Sequence, residues 1–278
     1  MNFRLRAQQP DYHVHPTGQF LVPNSPAPKK RIALPPAAPH PPNVPLKVGG
    51  RLLDSVGSYG NIFPVLFKHI PPGRGTDGSI VIHAGACRGV ESQILYNTYW
   101  REFVAIEPDS RNIQDLRRAL HDVEQTHGFR AHVWPFAVSD HNGRVTLHIC
   151  NNKDGSPWSE SNTIKEVLLH HQQSPELDWS SEQEVGCCCL DSLWFNMDEP
   201  VVHLLFSDVE GAEKEMITGA QDMLRKTRWF FTEFSHAERY EGALGLEDTF
   251  KMLPGKWEPV CWWNHGHFGD ALFKNLEV

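Results

Sequence analysis

The sequence predicts an α/β fold, a doubly wound and mostly parallel sheet of Rossmann-like type with a terminal antiparallel strand. Three observations predict it. The apolar run 80–84 ends in a small glycine-punctuated turn, Gly85-Ala86-Cys87-Arg88-Gly89, and a second apolar run, 103–107, ends in the carboxylate of Glu107. From residue 51 onward, runs of strand and helix character alternate, which is the pattern of βαβ units building a parallel sheet. The chain closes on two apolar runs, 257–263 and 271–274, joined through Asn264-His265-Gly266-His267, as an antiparallel pair would be.

The first 50 residues stand apart. The stretch 23–45 is dense in proline, which fixes φ and removes donors, so 1–50 reads as an extended arm or linker. Lys29-Lys30-Arg31 within it reads as solvated charge. Such an arm can support a homo-oligomer by wrapping a neighbouring subunit. Residues 51–278 form the expected domain.

Within the domain, 52–66 looks like a short helical prelude broken by Pro64. Run 80–84 is the first strand, and 89–99 the first helix, with Ile94 and Leu95 turned inward. The second strand is 103–107. Ser110 is placed to cap a second helix in which Ile113, Leu116, Leu120 and Val123 recur at helical spacing. A third strand covers 131–138, and 144–150 alternates as a half-buried antiparallel strand does. Residues 151–183 lack a period and are rich in Asn, Ser, Glu and His. With Ser156, Trp158, Ser161 and Asn162, this insertion reads as a lid or acceptor-binding segment. There follow a short strand at 185–190, a fourth main strand at 201–208, a helix at 212–224, a fifth strand at 228–234 and the terminal pair.

The bulk numbers exclude several classes. The chain has 278 residues, 40% of them hydrophobic, enough for one large α/β domain with a tail. A formal net charge of −8 implies no basic face, so nucleic acid is disfavoured as a partner. No apolar run approaches the roughly 18–20 residues of a membrane span, and the N-terminus lacks the apolar stretch of a signal peptide. A cytoplasmic protein is expected. Of six cysteines, 187–189 are consecutive, a spacing that suits neither zinc nor a disulfide framework, so they read as small hydrophobes in a strand.

Gly85 and Glu107 stand 22 positions apart, which suits a nucleotide site: the turn lets backbone approach the ligand and the acid accepts from ribose hydroxyls. The pattern Gly85-x-x-x-Gly89 lacks one of the phosphate-cradling glycines of G-x-G-x-x-G. A ligand with adenosine and ribose but no pyrophosphate fits better, and S-adenosylmethionine is the common one. In open α/β sheets ligands bind at the carboxyl ends of the strands. That rim should gather His83–Gly85, Glu107, Ala137-Val138-Ser139-Asp140, Asp208-Val209-Glu210-Gly211 and Glu233. Asp208 can face the methionine amino group or a substrate hydroxyl; Glu210 can do the same or cap the next helix. His236 can serve as a general base, although it is one of 16 histidines. Asp208, Glu210 and Glu233 are carboxylates of the kind a hard cation takes, but their spacing sets no ligand geometry, and no metal is assigned.

These residues bring the chain to resemble the FkbM family of S-adenosylmethionine-dependent methyltransferases. That family shows V-D-V-G-A-N-x-G, A-x-E-P, A-V-S-D, T-L-D and K-I-D-V-E-G-A-E in order. The counterparts here are Ile82-His83-Ala84-Gly85-Ala86-Cys87-Arg88-Gly89, Ala105-Ile106-Glu107-Pro108, Ala137-Val138-Ser139-Asp140, Cys189-Leu190-Asp191 and Phe206-Ser207-Asp208-Val209-Glu210-Gly211-Ala212-Glu213. The resemblance covers roughly residues 78–275 and implies a class I methyltransferase fold and O-methylation of a hydroxyl on a sugar or secondary metabolite. It places the methyl donor against His83, Gly85, Ala86, Gly89, Glu107, Pro108, Ala137, Val138 and Asp208. Asp208, Glu210, Glu233 and His236 are the candidates for orienting or deprotonating the small-molecule or glycan acceptor. His83, Cys87 and Phe206 depart from the family's Asp, Asn and Lys. If that lysine acts on the acceptor, His236 or His83 must replace it, or no base is used. Two rivals remain: a catalytically inactive scaffold of the same fold, and an NAD-dependent oxidoreductase.

Overall fold

The structure, a computed structural model, describes residues 45–278 apart from 74 and 100. The proline-rich stretch up to residue 44, with Lys29-Lys30-Arg31 and the proposed oligomer contact, lies outside the described residues. A hairpin of β1 (Leu46–Val48) and β2 (Arg51–Leu53) comes first. Val48 is fully buried in the core, so the domain begins no later than Leu46 and the expected boundary at 50/51 falls inside this hairpin. A 3-10 turn over Tyr59–Asn61 leads into α1 (Ile62–His69). Pro64 does not break that helix. It sits in the first turn, where no backbone N–H partner is needed.

There follow β3 (Ile80–Ala84), α2 (Val90–Tyr99), β4 (Glu102–Ile106), α3 (Ser110–His127), β5 (Ala131–Trp134), β6 (Ala137–Val138) and β7 (Gly143–Asn152). Then come α4 (His170–Gln173), β8 (Leu177–Cys188), α5 (Leu190–Phe195), β9 (Val202–Ser207), α6 (Glu213–Thr218) and α7 (Gln221–Arg225). The chain ends with β10 (Thr227–Ser235), α8 (Leu246–Met252), β11 (Trp257–Asn264) and β12 (Phe268–Asn275). The main sheet has seven strands in the order β11-β12-β10-β9-β3-β4-β5. β12 alone runs opposite to the other six strands. The chain winds one way from β3 through β4 to β5 and the other way from β9 to β10, so the topological switch lies between β3 and β9.

Alternate side chains of the strands feed two cores. Val81, Phe103, Ala105, Leu204 and Phe206 pack with α1, α2 and α3, whereas Ile82, Ala84, Val104, Ile106 and Leu205 pack with residues of α5, α6, α7 and α8. Both faces are covered, which is why β3 reads as a continuous apolar run and is buried at all five positions. The doubly wound, mostly parallel prediction holds, as does the terminal antiparallel strand.

Several elements differ in detail, each for a local reason. Run 131–138 is two strands: after β5, Pro135-Phe136 turns the chain out of the main sheet, and Ala137–Val138 pairs with β8 instead. The region 151–183 is not patternless. β7 and β8 form a long antiparallel pair that, with β6, makes a second three-stranded sheet, and only the span between β7 and β8 is mostly irregular. The short strand expected at 185–190 is the end of the 12-residue β8, and Leu190 already starts a helix. Cys187 and Cys188 lie in the strand as expected, while Cys189 caps the helix, and all three are free thiols. Asp109, not Ser110, caps α3, its carboxylate accepting from Arg111 N. Ile94 and Ile113 are only half-buried; Ser92, Leu95, Tyr96 and Tyr99 form the inner stripe of α2, and Asn112, Leu116, Leu120 and Val123 that of α3.

The helix expected over 212–224 breaks at Gly219-Ala220. A Cβ at Gly219 would stand 2.2 Å from the Ser139 carbonyl oxygen, so only glycine lets the two backbones touch. Asp191 then caps the second piece, accepting from Asp222 N and Met223 N. The acid of Cys189-Leu190-Asp191 is structural.

Candidate functional site

A cavity of about 530 Å³ opens where β3, β4, β6 and β9 end. Its wall includes His83, Gly85, Glu107, Pro108, Ala137, Val138, Asp208 and Glu210, so most of the expected rim is one surface. Residues 158–164 of the insertion and Phe136 cover it on one side, and Tyr59 and Phe268 close the other.

The turn after β3 is built for close approach. Gly85 has φ +79°, and a Cβ there would lie 1.7 Å from the Asp208 carbonyl oxygen. Asp208 N in turn donates to Ala84 O at 2.9 Å, tying the ends of β3 and β9 together. Gly85 N and Ala86 N both donate to Ile106 O, at 3.0 Å each. Cys87 N donates to Glu107 Oε2 at 2.8 Å, while Glu107 Oε1 accepts from Asp109 N at 2.9 Å and Asn112 Nδ2 at 3.2 Å. Glu107 is therefore fixed against the glycine turn. Burial pushes its carboxyl up to about 7, against the three hydrogen bonds that favour its charged form. Cys87 holds φ +45°, a region where Asn is better tolerated than Cys. Burial pushes its thiol up to about 12, so it is no thiolate nucleophile at neutral pH.

The acidic floor is denser than the sequence suggested. Carboxylate oxygens of Asp208, Glu210 and Glu233 lie within 4.8 Å of one another. One cation could reach all three, yet two are already engaged: Arg239 Nη1 donates to Glu233 Oε1 at 3.1 Å, and Tyr240 Oη donates to Glu210 Oε2 at 2.5 Å. Arg239 is the built-in counter-charge, lying 4.2 Å from the centre of the Phe268 ring. Burial and the neighbouring carboxylates push Asp208 and Glu233 well above the usual carboxylate range.

Four expected site residues do not line the cavity. Ala86 is fully buried in the core beside α2 and α3. Gly89 serves helix packing, since a Cβ there, at φ +93°, would meet Leu116 at 2.9 Å and Ala119 at 3.2 Å. Glu233 is buried in its ion pair with Arg239 and does not reach the cavity wall. His236 packs edge-on against Phe234 and Trp262, and its backbone N–H donates to His267 O. His83 reaches the wall but is a poor base: its Nδ1 is 2.7 Å from Ser92 Oγ, and burial pushes its pKa down to about 3.

Phe206 explains that histidine. His83 and Phe206 are register partners on β3 and β9, with ring centroids 5.0 Å apart, edge to face. Phe206 also stacks on Phe231 at 4.2 Å. The two departures from the family pattern are thus one contact: an Asp and a Lys at these positions would face each other across the strands, and here two neutral rings do. The lost lysine position lies in the core beneath the cavity and does not line it.

Sequence reasoning missed Tyr59, Arg239, Tyr240, His170 and Phe268. Tyr59 stacks on His265 at 3.9 Å and reaches the cavity from a segment before the first main strand. None of these sits in a spaced motif. The available signal was the pair Arg239-Tyr240, placed shortly beyond the end of the fifth strand.

A cavity at the switch point of a seven-stranded, mostly parallel sheet, with a glycine turn and a strand-end acid on its wall, belongs to a doubly wound α/β fold. The description Methyltransferase FkbM domain matches residues 83–267, and the chain belongs to that family of methyltransferases. A curated relative, the 2-O-methyltransferase NoeI of Sinorhizobium fredii (strain NBRC 101917 / NGR234), is 29% identical over 178 residues, covering 64% of this chain and 71% of that protein. Among solved structures, the METTL16 MTase domain aligns with a TM-score of 0.41 at 10% identity, over 72% of this chain and 60% of that one. A methyltransferase from Pyrococcus furiosus aligns with a TM-score of 0.38 at 9% identity, over 81% of this chain and 90% of that one. Among the described residues, no helix is long and apolar enough to cross a membrane.

Proposed function

We propose that the chain is an S-adenosylmethionine-dependent O-methyltransferase whose acceptor is a hydroxyl of a sugar or secondary metabolite. The observation that carries this reading is the turn. The space that a Cβ at Gly85 would fill lies where the ends of β3 and β9 touch, and the Glu107 carboxylate stands against the same turn. The cavity beside this turn, lined by Gly85, Glu107, Pro108, Ala137 and Val138, suits an adenosine and ribose without pyrophosphate. Glu107 would accept from the ribose hydroxyls, Pro108, Ala137 and Val138 would flank the base, and Asp208 would face the amino group of the methionine portion. When bound, the donor supplies a methyl group on a sulfonium, the electrophile for an in-line transfer. Positioning then carries much of the barrier reduction.

Glu210 would accept the acceptor hydroxyl's proton. It lines the cavity, its carboxylate is held by Tyr240, and burial raises its proton affinity. Tyr59, Trp158 and Phe268 offer ring faces at the mouth for the apolar side of a sugar or an aglycone. The relative named a 2-O-methyltransferase supports an oxygen nucleophile. The inactive-scaffold reading rested on the missing Asp and Lys, whose positions are filled by a packed ring pair.

The test is methyl transfer from isotope-labelled S-adenosylmethionine to a panel of mono- and oligosaccharides and phenolic alcohols, each paired with a deoxy analogue. Label on a hydroxyl of the wild-type product, absent with the deoxy analogue and reduced at least a hundredfold in Glu210→Gln, supports the reading. Transfer only to nitrogen, or to no acceptor despite donor binding, contradicts it.

A further inference from the structure

The insertion does more than cover the cavity. Its short helix α4 carries His170, which is 4% exposed and lies 2.7 Å through Nδ1 from Tyr240 Oη. Tyr240, fully buried, lies 2.5 Å from Glu210 Oε2. Arg239 Nη2 lies against the same imidazole, 3.0 Å from Nε2 and 3.3 Å from Nδ1. Proton bookkeeping gives this chain a direction. A guanidinium only donates, and beside both ring nitrogens its charge favours a neutral imidazole. A phenol has one proton, and the carboxylate is the stronger acceptor. With the phenol proton given to Glu210, the Tyr240 oxygen can only accept from His170, so the hydrogen bonds run from His170 Nδ1–H to Tyr240 and from Tyr240 to Glu210. The guanidinium and burial keep the imidazole neutral, pushing its pKa down to about 3.

The backbone supports the same connection. Leu168 N donates to Arg239 O and Glu241 N to Glu166 O, lacing the insertion to the 238–241 segment. The Tyr240 ring occupies the space that a Cβ at Gly211 would need, 2.5 Å from Tyr240 Cβ. Thr163 Oγ1 donates to Glu210 O at 2.6 Å, and Glu210 itself sits at φ +49°. Both the backbone and the side chain of Glu210 are thus held from the insertion side.

We propose that His170 is a positioning residue of the methyl-transfer reaction: through Tyr240 it fixes the orientation and basicity of Glu210 toward the acceptor hydroxyl. The proposal rests on the reading of Glu210 as the acceptor-facing carboxylate. The charges facing Glu210 are Asp208, Glu213, Glu233, Asp270 and Glu160, which favour its protonated form, and Arg239, which favours its charged form. Against that acidic surround, the Tyr240 hydroxyl is the direct donor that keeps the carboxylate ionised and aimed. His170 stops the phenol from turning away.

The test compares wild type with His170→Phe, His170→Asn and Tyr240→Phe. Asparagine keeps an N–H donor near the position of Nδ1, and phenylalanine keeps only ring volume. The first readout is the titration of Glu210 in protein carrying 13C-labelled glutamate, with the signal assigned by Glu210→Gln. Losing the donor is expected to move that titration up by about one unit in His170→Phe and Tyr240→Phe, while His170→Asn stays near wild type. With a confirmed acceptor, the acidic limb of the kcat profile should move up by the same amount, with little change in donor KM. Calorimetry with S-adenosylhomocysteine runs in parallel. Unchanged binding with a shifted Glu210 supports the proposal. An unshifted Glu210 in both folded phenylalanine variants overturns it. Failure of the wild type to bind S-adenosylhomocysteine overturns the functional reading while the titration still decides the coupling.

Discussion

Exchanging His83 and Phe206 for Asp and Lys tests whether two departures from the family pattern are one structural unit. His83 is 1% exposed and Phe206 4%. Asp at 83 alone buries a carboxylate with Ser92 Oγ as its nearby partner, a change that costs about 3 kcal/mol or drives the group to take up a proton. Lys at 206 alone removes a ring stacked 4.2 Å from Phe231 and buries an unpaired ammonium, which together cost about 4 kcal/mol. Because the two positions are register partners on parallel strands, the double variant brings the new charges together. The double variant should then cost roughly 4–5 kcal/mol rather than 7, a coupling of about 2–3 kcal/mol. Urea denaturation followed by fluorescence of the nine tryptophans gives all three values. Additivity within about 0.5 kcal/mol would refute the pairing and reopen the question of what the missing lysine does.

Three further predictions follow from single contacts. Gly85→Ala places a Cβ at φ +79° and 1.7 Å from the Asp208 carbonyl; it should cost about 2–4 kcal/mol and abolish donor protection in a thermal-shift assay. Cys87→Asn, at φ +45°, should stabilise by roughly 0.5–1 kcal/mol in denaturant melts without changing ligand affinity. Asp77 bridges Arg101 at 2.9 Å and Arg228 at 2.6 Å at the amino ends of β3, β4 and β10. The bond from Ser79 and these guanidiniums hold its carboxyl below the usual range. That stability is present above the ordinary aspartate pKa and is lost as pH falls through the folded value. Asp77→Asn should therefore cost about 1 kcal/mol at pH 7, discounted for its partial exposure, and the difference should close in acid melts.

The sheet was legible because its central strands β3, β4 and β9 are buried on both faces and read as largely apolar runs. Glu107 and Asp208 were legible for the same reason: each stands at or just beyond a strand end whose position the apolar run sets. The insertion was not, because β8 carries exposed polar residues such as Ser180, Ser181 and Glu182 on a hairpin beside the main sheet, so its alternation is diluted. The break at Gly219 depends on a contact with distant backbone, Ser139 O, that spacing does not encode. Glu233 lies near the end of β10 and His236 just beyond it. Their fates are set by Arg239 and by Trp262, partners that the local sequence does not announce.

The proposed adenosyl donor site rests on the turn at Gly85 and the Glu107 carboxylate. Isothermal titration with S-adenosylmethionine, S-adenosylhomocysteine and NAD⁺ as control, on wild type and Glu107→Gln, tests it most directly. Burial raises the Glu107 carboxyl to about 7 in the free protein, and ribose hydroxyls donate to its charged form. Binding should therefore release a proton, and affinity should rise about tenfold from pH 6 to pH 8. Both sulfur ligands should bind in the micromolar range, weakened by about 1.5–3 kcal/mol in Glu107→Gln, and NAD⁺ should not bind. Absence of sulfur-ligand binding, or equal affinity in the variant, would contradict it.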